Sequence, residues 1–247
     1  MADDPFFYFV LIGFVAQLID GALGMAYGVA STSALLALGV PPAVASANVH
    51  AAEVFTTASS GVSHALARNV DWRLFRRLAL AGSAGGALGA VLISHVHVDA
   101  ARPLIAAYLF LMGLVVIRRA LQRQNDDKRV ERVGVLGFFG GLCDAVGGGG
   151  WGPVVASNLL ARGAAPAKVV GTVNLAEFFV TAAITAAFIA SLGLSFGRAA
   201  LGLVIGGVVA APIAAFGAKR LPRRALTGLV GGAICAVSAY NLWSSFS

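Results

Sequence analysis

Charge is what this sequence lacks most. Only 12% of its residues are Asp, Glu, Lys or Arg, against about a quarter in an ordinary soluble domain. Apolar residues reach 58% and the mean hydropathy is +0.84. Most of the surface must therefore face something other than water. Long polar stretches are missing as well, so no separate soluble domain is expected, and the chain reads as one membrane-embedded domain in a lipid bilayer. Cysteine is scarce: Cys143 and Cys235 both lie in apolar segments, which excludes a disulfide framework. Residues 1–4 are acidic where a secretory signal would be basic, so no cleaved leader is expected. The net charge of +7 and pI near 10.1 would suggest nucleic acid in a soluble chain. In an apolar one, retention of Lys and Arg on the cytoplasmic side explains the excess better, and no nucleic-acid partner is expected. No nucleotide, haem or zinc signature occurs, and no cofactor is expected.

What is present is repetition. Residue n and residue n+124 match without a gap over a long stretch. Gly13-Phe14 returns as Gly137-Phe138, Asp20 as Asp144, Gly24 and Gly28 as Gly148 and Gly152, Pro42-Ala43 as Pro166-Ala167, and Ala52-Glu53 as Ala176-Glu177. Two copies of a unit of about 120 residues build the chain, a period far too long for a solenoid. In an apolar chain it points to a transporter made of two related halves, 1–124 and 125–247.

Apolar segments run over 6–39, 42–67, 74–94, 101–118, 133–163, 165–191, 198–218 and 225–243. Six have lengths near the ~20 residues that cross a bilayer as helix. Segments 6–39 and 133–163 are too long for one crossing and too short for two. Each is interrupted by glycine-laden sequence at 20–28 and 144–153, including the run Gly147–Gly150. Consecutive glycines carry about 1 kcal/mol each against alanine in a helix. Both segments read as helix–break–helix hairpins that enter the membrane and return to the same side. Basic clusters at Arg68–Arg77, Arg118–Arg132 and Lys219–Arg224 are all cytoplasmic only if the hairpins do not cross. The expected fold is an all-α polytopic membrane protein with two inverted-topology repeats, each a broken helical hairpin plus three transmembrane helices, and with both termini outside.

Of eleven acidic residues, four lie inside apolar segments: Asp20, Glu53, Asp144 and Glu177. They form two repeat-related pairs. A charge at helix centre costs on the order of 2.5–3.5 kcal/mol on insertion scales, so intramembrane carboxylates are functional candidates, here for carrying protons. The competing role for Asp20 and Asp144 is to cap backbone N–H groups at the broken helices. His50, Glu53, Thr57, Ser60 and His64 follow helical spacing on one face, and Asn174, Glu177 and Thr181 repeat it. A polar seam between helices is the plainer alternative. Since His50 corresponds to Asn174, the halves are not chemically equal.

The glycine breaks supply the complementary chemistry. Backbone N–H groups freed at a break, with the N-terminus of the next half-helix, make a site of positive partial charge that glycine lets a ligand approach closely. Candidate substrate-binding residues are Gly24, Tyr27, Gly28, Asn48, His50, Gly148, Gly149, Gly150, Trp151 and Asn174. No cation is expected at the centre. Glycine pairs at small-xxx-small spacing (Gly82/Gly86, Gly85/Gly89, Gly202/Gly206, Gly228/Gly232) are expected to permit tight helix packing and allow a homodimer. Cys143, and the outer-loop group His95, His97 and Asp99, are weaker candidates read as apolar filler and solvated side chains. Trp243 suits an interfacial belt.

These motifs resemble the TauE/SafE sulfite-exporter family of bacterial membrane proteins. The resemblance rests on the duplicated unit with its early glycine-rich break, a Gly-x-x-Pro turn (Gly39 to Pro42; Gly163 to Pro166) and the Glu53 or Glu177 helix, and covers essentially the whole chain. It implies a bacterial inner-membrane carrier of small sulfur-containing anions, sulfite or organosulfonates, with export as the direction. A carboxyl group beside a bound anion is tolerable when it carries its proton, which would couple proton to anion movement. Coupling to sodium or a metal bound by the four acids is an alternative, as is a passive channel. No nucleophile–base pair stands out, so enzyme activity is not expected.

Overall fold

The computed structural model describes residues 5–23, 25–121, 132–161, 166–193, 197–217 and 223–246, and every regular element among them is helical. Helix is what an apolar chain must form in lipid, because each backbone polar group has to find its partner within its own segment. The elements are α1 (Pro5–Leu23), α2 (Tyr27–Ala37), α3 (Pro42–Leu66), α4 (Trp72–Ser94), α5 (Val98–Leu121) and α6 (Val133–Gly147). They continue with a π-helical turn (Gly152–Ala156), α7 (Ser157–Ala161), α8 (Pro166–Leu192), α9 (Arg198–Gly217) and α10 (Arg223–Ser244). Among the described residues, three stretches are long and apolar enough to cross a bilayer: Trp72–Ser94, Ala100–Arg118 and Lys168–Leu192. Shorter apolar helices among the described residues are Pro5–Asp20, Tyr27–Ala37, Val133–Gly147 and Arg198–Ala210. Large apolar side chains stand exposed on α1, α4, α5, α9 and α10, among them Phe7, Leu80, Leu104, Leu201 and Leu229. Lipid accepts such a surface; water does not.

Helix ends follow local chemistry. Pro42 and Pro166 open α3 and α8 at the first helical position, where a missing N–H is harmless. Asp71 caps α4, its Oδ1 accepting from the N–H groups of Arg73 at 2.9 Å and Leu74 at 3.1 Å. α6 stops where Gly148 turns left-handed at φ 67°, followed by Gly149 at φ 146°. Side chains resist both conformations. Proline at the start of the π-helical turn removes another donor there.

Packing pairs the elements in a regular way. α1 lies on α9 and α6 on α4, both parallel, because contact positions rise together: Gly85 meets Phe138 and Gly89 meets Leu142, while Gly202 meets Phe9 and Gly206 meets Val10 and Phe14. α3 and α8 run antiparallel, as Ser60 faces Asn174 and Arg68 faces Lys168. α5 and α10 are antiparallel too, Gly113 meeting Cys235 and Ile117 meeting Gly231. The core lies along α3 and α8, around Val49, Ala52, Ala176, Val180 and Ile184.

Of the glycine pairs expected to make close seams, those on α4 and α9 do. A Cβ on Gly89 would sit 2.7 Å from the Leu142 carbonyl oxygen, and one on Gly202 2.7 Å from Phe9 Cβ. Gly228 and Gly232 do not: nothing lies within 4 Å of either added Cβ. α10 turns Gly231 toward α5 instead, where a Cβ would come 2.6 Å from Ile117 Cγ1. We expect Gly85→Leu to destabilise the bundle by about 1–3 kcal/mol or more through overpacking against the Phe138 backbone. Gly134→Leu, with open space around it, should be neutral. Thermal melting of both variants in detergent checks the contrast.

Candidate functional site

The site begins at the two helix breaks. The first separates α1 from α2 and holds Met25 and Ala26, the latter at φ 95°. The second, at Gly148 to Gly150, separates α6 from the helical segment that follows. The breaks touch: a Cβ on Gly28 would lie 2.7 Å from Gly149 Cα. Only bare backbone lets the two interruptions come this close. Gly24 lies outside the described residues.

The two aspartates hold the breaks in the same manner. Asp144 Oδ1 accepts from the Trp151 N–H at 2.9 Å, and Asp20 Oδ1 from the Tyr27 N–H at 3.4 Å. Each reaches seven residues on to the start of the next half-helix, where N–H groups have no intrahelical partner. This is the capping role weighed for them. The neighbouring aromatics are anchored: Trp151 is fully buried with Nε1–H donating to Val173 O at 3.2 Å, and the Tyr27 hydroxyl donates to Leu203 O at 3.3 Å.

Glu53 and Glu177 approach the junction from the middles of α3 and α8. The four carboxyls, with Tyr27, Gly28, Gly149, Gly150 and Trp151, line a cavity of about 20 Å³. Asp20 and Glu177 also line an adjoining cavity of about 170 Å³, with Gln17, Thr56, Thr57, Ser60, His64, Val170 and Asn174. That larger space runs toward the end of the bundle where the Lys168 ammonium donates to Arg68 O at 2.8 Å. Among the described residues, none lining either cavity is Lys or Arg. Among the described residues no group of His, Cys, Asp and Glu could hold a metal ion.

The opposite end is stitched by hydrogen bonds. The Ser46 hydroxyl donates to Ala145 O at 2.6 Å, Asn48 Oδ1 accepts from the Ala200 N–H at 2.9 Å, and His50 Nε2 lies 3.2 Å from Asp144 Oδ2. Glu53 and Asp144 are 4% and 2% exposed, whereas Asp20 and Glu177 are half-buried. Glu53 lines only the small cavity, and its counterpart also faces the large one.

The structure thus divides the residues singled out from sequence. Tyr27, Gly28, Gly149, Gly150 and Trp151 line the small cavity and Asn174 the large one, its amide donating to Ser60 Oγ at 2.8 Å. Asn48, His50 and Gly148 line neither: Asn48 caps the start of α9, His50 faces Asp144, and the Gly148 carbonyl accepts from the Thr32 hydroxyl. The polar stripe on α3 splits at Glu53, with Thr57, Ser60 and His64 facing the large cavity. Cys143 is a free, half-buried thiol, and the His95 ring bonds its own helix at Val91 O, 2.8 Å away. Sequence reasoning missed Tyr108. Its hydroxyl donates to Gly149 O at 3.1 Å, and its ring fills the space beside Gly147 and Gly150. Its counterpart in the second copy is Gly232, so the duplication carries no signal for it.

Residues 9–241 match the family described as sulfite exporter TauE/SafE. Over 244 residues the chain is 46% identical to a protein described as probable membrane transporter protein YtnM from Bacillus subtilis (strain 168), spanning 95% of this chain and 81% of that one. No solved structure matches.

Proposed function

The chain belongs to the TauE/SafE sulfite exporter family, and from that premise we propose that this membrane transporter carries a small sulfur-containing anion, sulfite or an organosulfonate, outward by alternating access coupled to protons. The observation that carries the reading is the junction at Gly28 and Gly149, where two broken helices meet among four carboxyls and, among the described residues, no Lys or Arg lines the space. An anion there would take as donors main-chain N–H groups at the helix starts other than those of Tyr27 and Trp151, which Asp20 and Asp144 hold, aided by the positive end of each half-helix. It would be repelled by ionised Glu53 and Glu177. Proton and anion are therefore taken up together and move in the same direction. The adjoining cavity of about 170 Å³ has ample room for a small hydrated anion, since one water needs about 10–15 Å³ by the same measure.

Alternating access is supported by the pairing of helices that correspond under the 124-residue offset. α3 with α8, and α5 with α10, run antiparallel, as two inverted repeats require. Exchange of shape between the repeats would move the opening from one membrane face to the other. With the basic loops cytoplasmic, in an inner membrane with both termini outside, the cavity end near Arg68 and Lys168 faces inward.

Proteoliposomes loaded with sulfite test this. Efflux should accelerate when the loaded side is made acidic and stay unchanged when sodium is replaced by a large organic cation. Efflux that ignores the pH gradient and needs sodium would select cation coupling instead.

A further inference from the structure

His50 is the one buried histidine at the junction, and its two ring nitrogens have unequal company. Nδ1 lies 2.8 Å from Ser46 O, a carbonyl oxygen that can only accept. The Ser46 hydroxyl, 3.3 Å from the same nitrogen, gives its own proton to Ala145 O. Nδ1 must therefore carry a hydrogen. Nε2 lies 3.2 Å from Asp144 Oδ2 and 4.0 Å from Glu53 Oε2. A bare Nε2 lone pair against an ionised carboxylate would place two acceptors in contact inside a fully buried site. One proton resolves the clash, whether it rests on Nε2 as imidazolium with carboxylate or on Oδ2 as acid with neutral imidazole. Both forms hold the same number of protons and have zero net charge.

We infer that His50 and Asp144 hold one transferable proton as a net-neutral pair, which bolts α3 to the second helix break and serves as a proton carrier in the transport cycle. The last clause rests on the proton-coupled reading above. The pair lies with the Ser46–Ala145 bond at the sealed end, so separating α3 from α6 breaks both links together. When that end opens, water can take the proton, leaving two facing acceptors that no longer favour closure. The titratable groups around it are few: Asp144 from α6 and Glu53 from α3, with Asp20 and Glu177 beyond Glu53, and Tyr108 and Cys143 beside Asp144. Phe188 on α8 covers the ring at a centroid distance of 6.4 Å and brings no charge. The second half has no such device. Asn174 stands where His50 does, and an amide exchanges no proton in this range.

The test has two readouts on the full chain. Nitrogen-15 NMR of labelled histidine in the substrate-free protein should show His50, assigned by its loss in His50→Asn (or His50→Gln, should the first fail to fold), with hydrogen on Nδ1. A neutral ring bearing hydrogen on Nε2 and a bare Nδ1 overturns the pair. A single titrating proton gives a limb of about tenfold per pH unit, and the His50 variant should lose that limb from the pH profile of sulfite flux. A profile of wild-type shape overturns the carrier role. Wild-type flux without any pH response would instead indict the proton-coupled reading, leaving the NMR result to decide the pair.

Discussion

Glu53→Gln is expected to abolish proton-driven anion flux in a protein that still folds. Glutamine keeps the size and polarity of the side chain but can neither bind nor release a proton. Glu53 sits at the centre of α3, 4% exposed, with Oε2 buried and lacking a hydrogen-bond partner. Glutamine leaves a neutral polar group of the same shape in that place, so the variant should fold as the parent does. Loss of a positioned proton-transfer group typically lowers rates on the order of 100-fold or more. Glu177→Gln should act in the same direction from the open cavity. Flux from sulfite-loaded vesicles, normalised to folded protein, measures both. If both variants keep wild-type flux and pH response, the glutamates are a structural seam and carry no protons.

The second large effect belongs to the backbone. Gly149→Ala should remove transport and lower the melting temperature together. At φ 146° an alanine is strained whatever space it has, on the order of 1–3 kcal/mol. Its Cβ would also overlap the backbone of Gly28 and Val29, adding about 1–3 kcal/mol of overpacking. Gly193→Ala separates the two causes, since Gly193 has φ 79° but nothing within 4 Å of an added Cβ. It should show strain alone and transport normally. Equal behaviour of the two variants in melting and flux would mean that contact between the breaks contributes nothing.

Much of this was legible in advance because lipid is a demanding solvent. Scarcity of charge made the chain a membrane protein, and apolar length made its segments helices. The glycine-rich stretches at 20–28 and 144–153 marked where the interruptions fall, between Leu23 and Tyr27 and after Gly147. The offset of 124 residues brought Asp20 and Asp144 forward as a pair, and both turn out to bond the N–H seven residues on. Other features left no trace of that kind. Tyr108 and Thr32 brace the glycine run from α5 and α2, yet each looks like ordinary helix filling. Asn48 shares the polar α3 helix and ends up capping α9. The spacing of Gly228 and Gly232 equals that of the packed pairs, but α10 turns those positions away from its neighbour.

Composition and periodicity by themselves determined the solvent, the helical class, the duplicated pattern and which four acids lie within apolar segments. These depend on what each residue can tolerate in hydrocarbon and on neighbours close along the chain. Only the tertiary structure decided that Gly28 abuts Gly149, that His50 answers Asp144 across 94 positions, and that Glu53 lines only the small cavity while Glu177 also faces the large one. Such relations depend on how whole helices rotate and slide against each other. That choice is made by the sum of many small packing contacts, and no local run of residues encodes it.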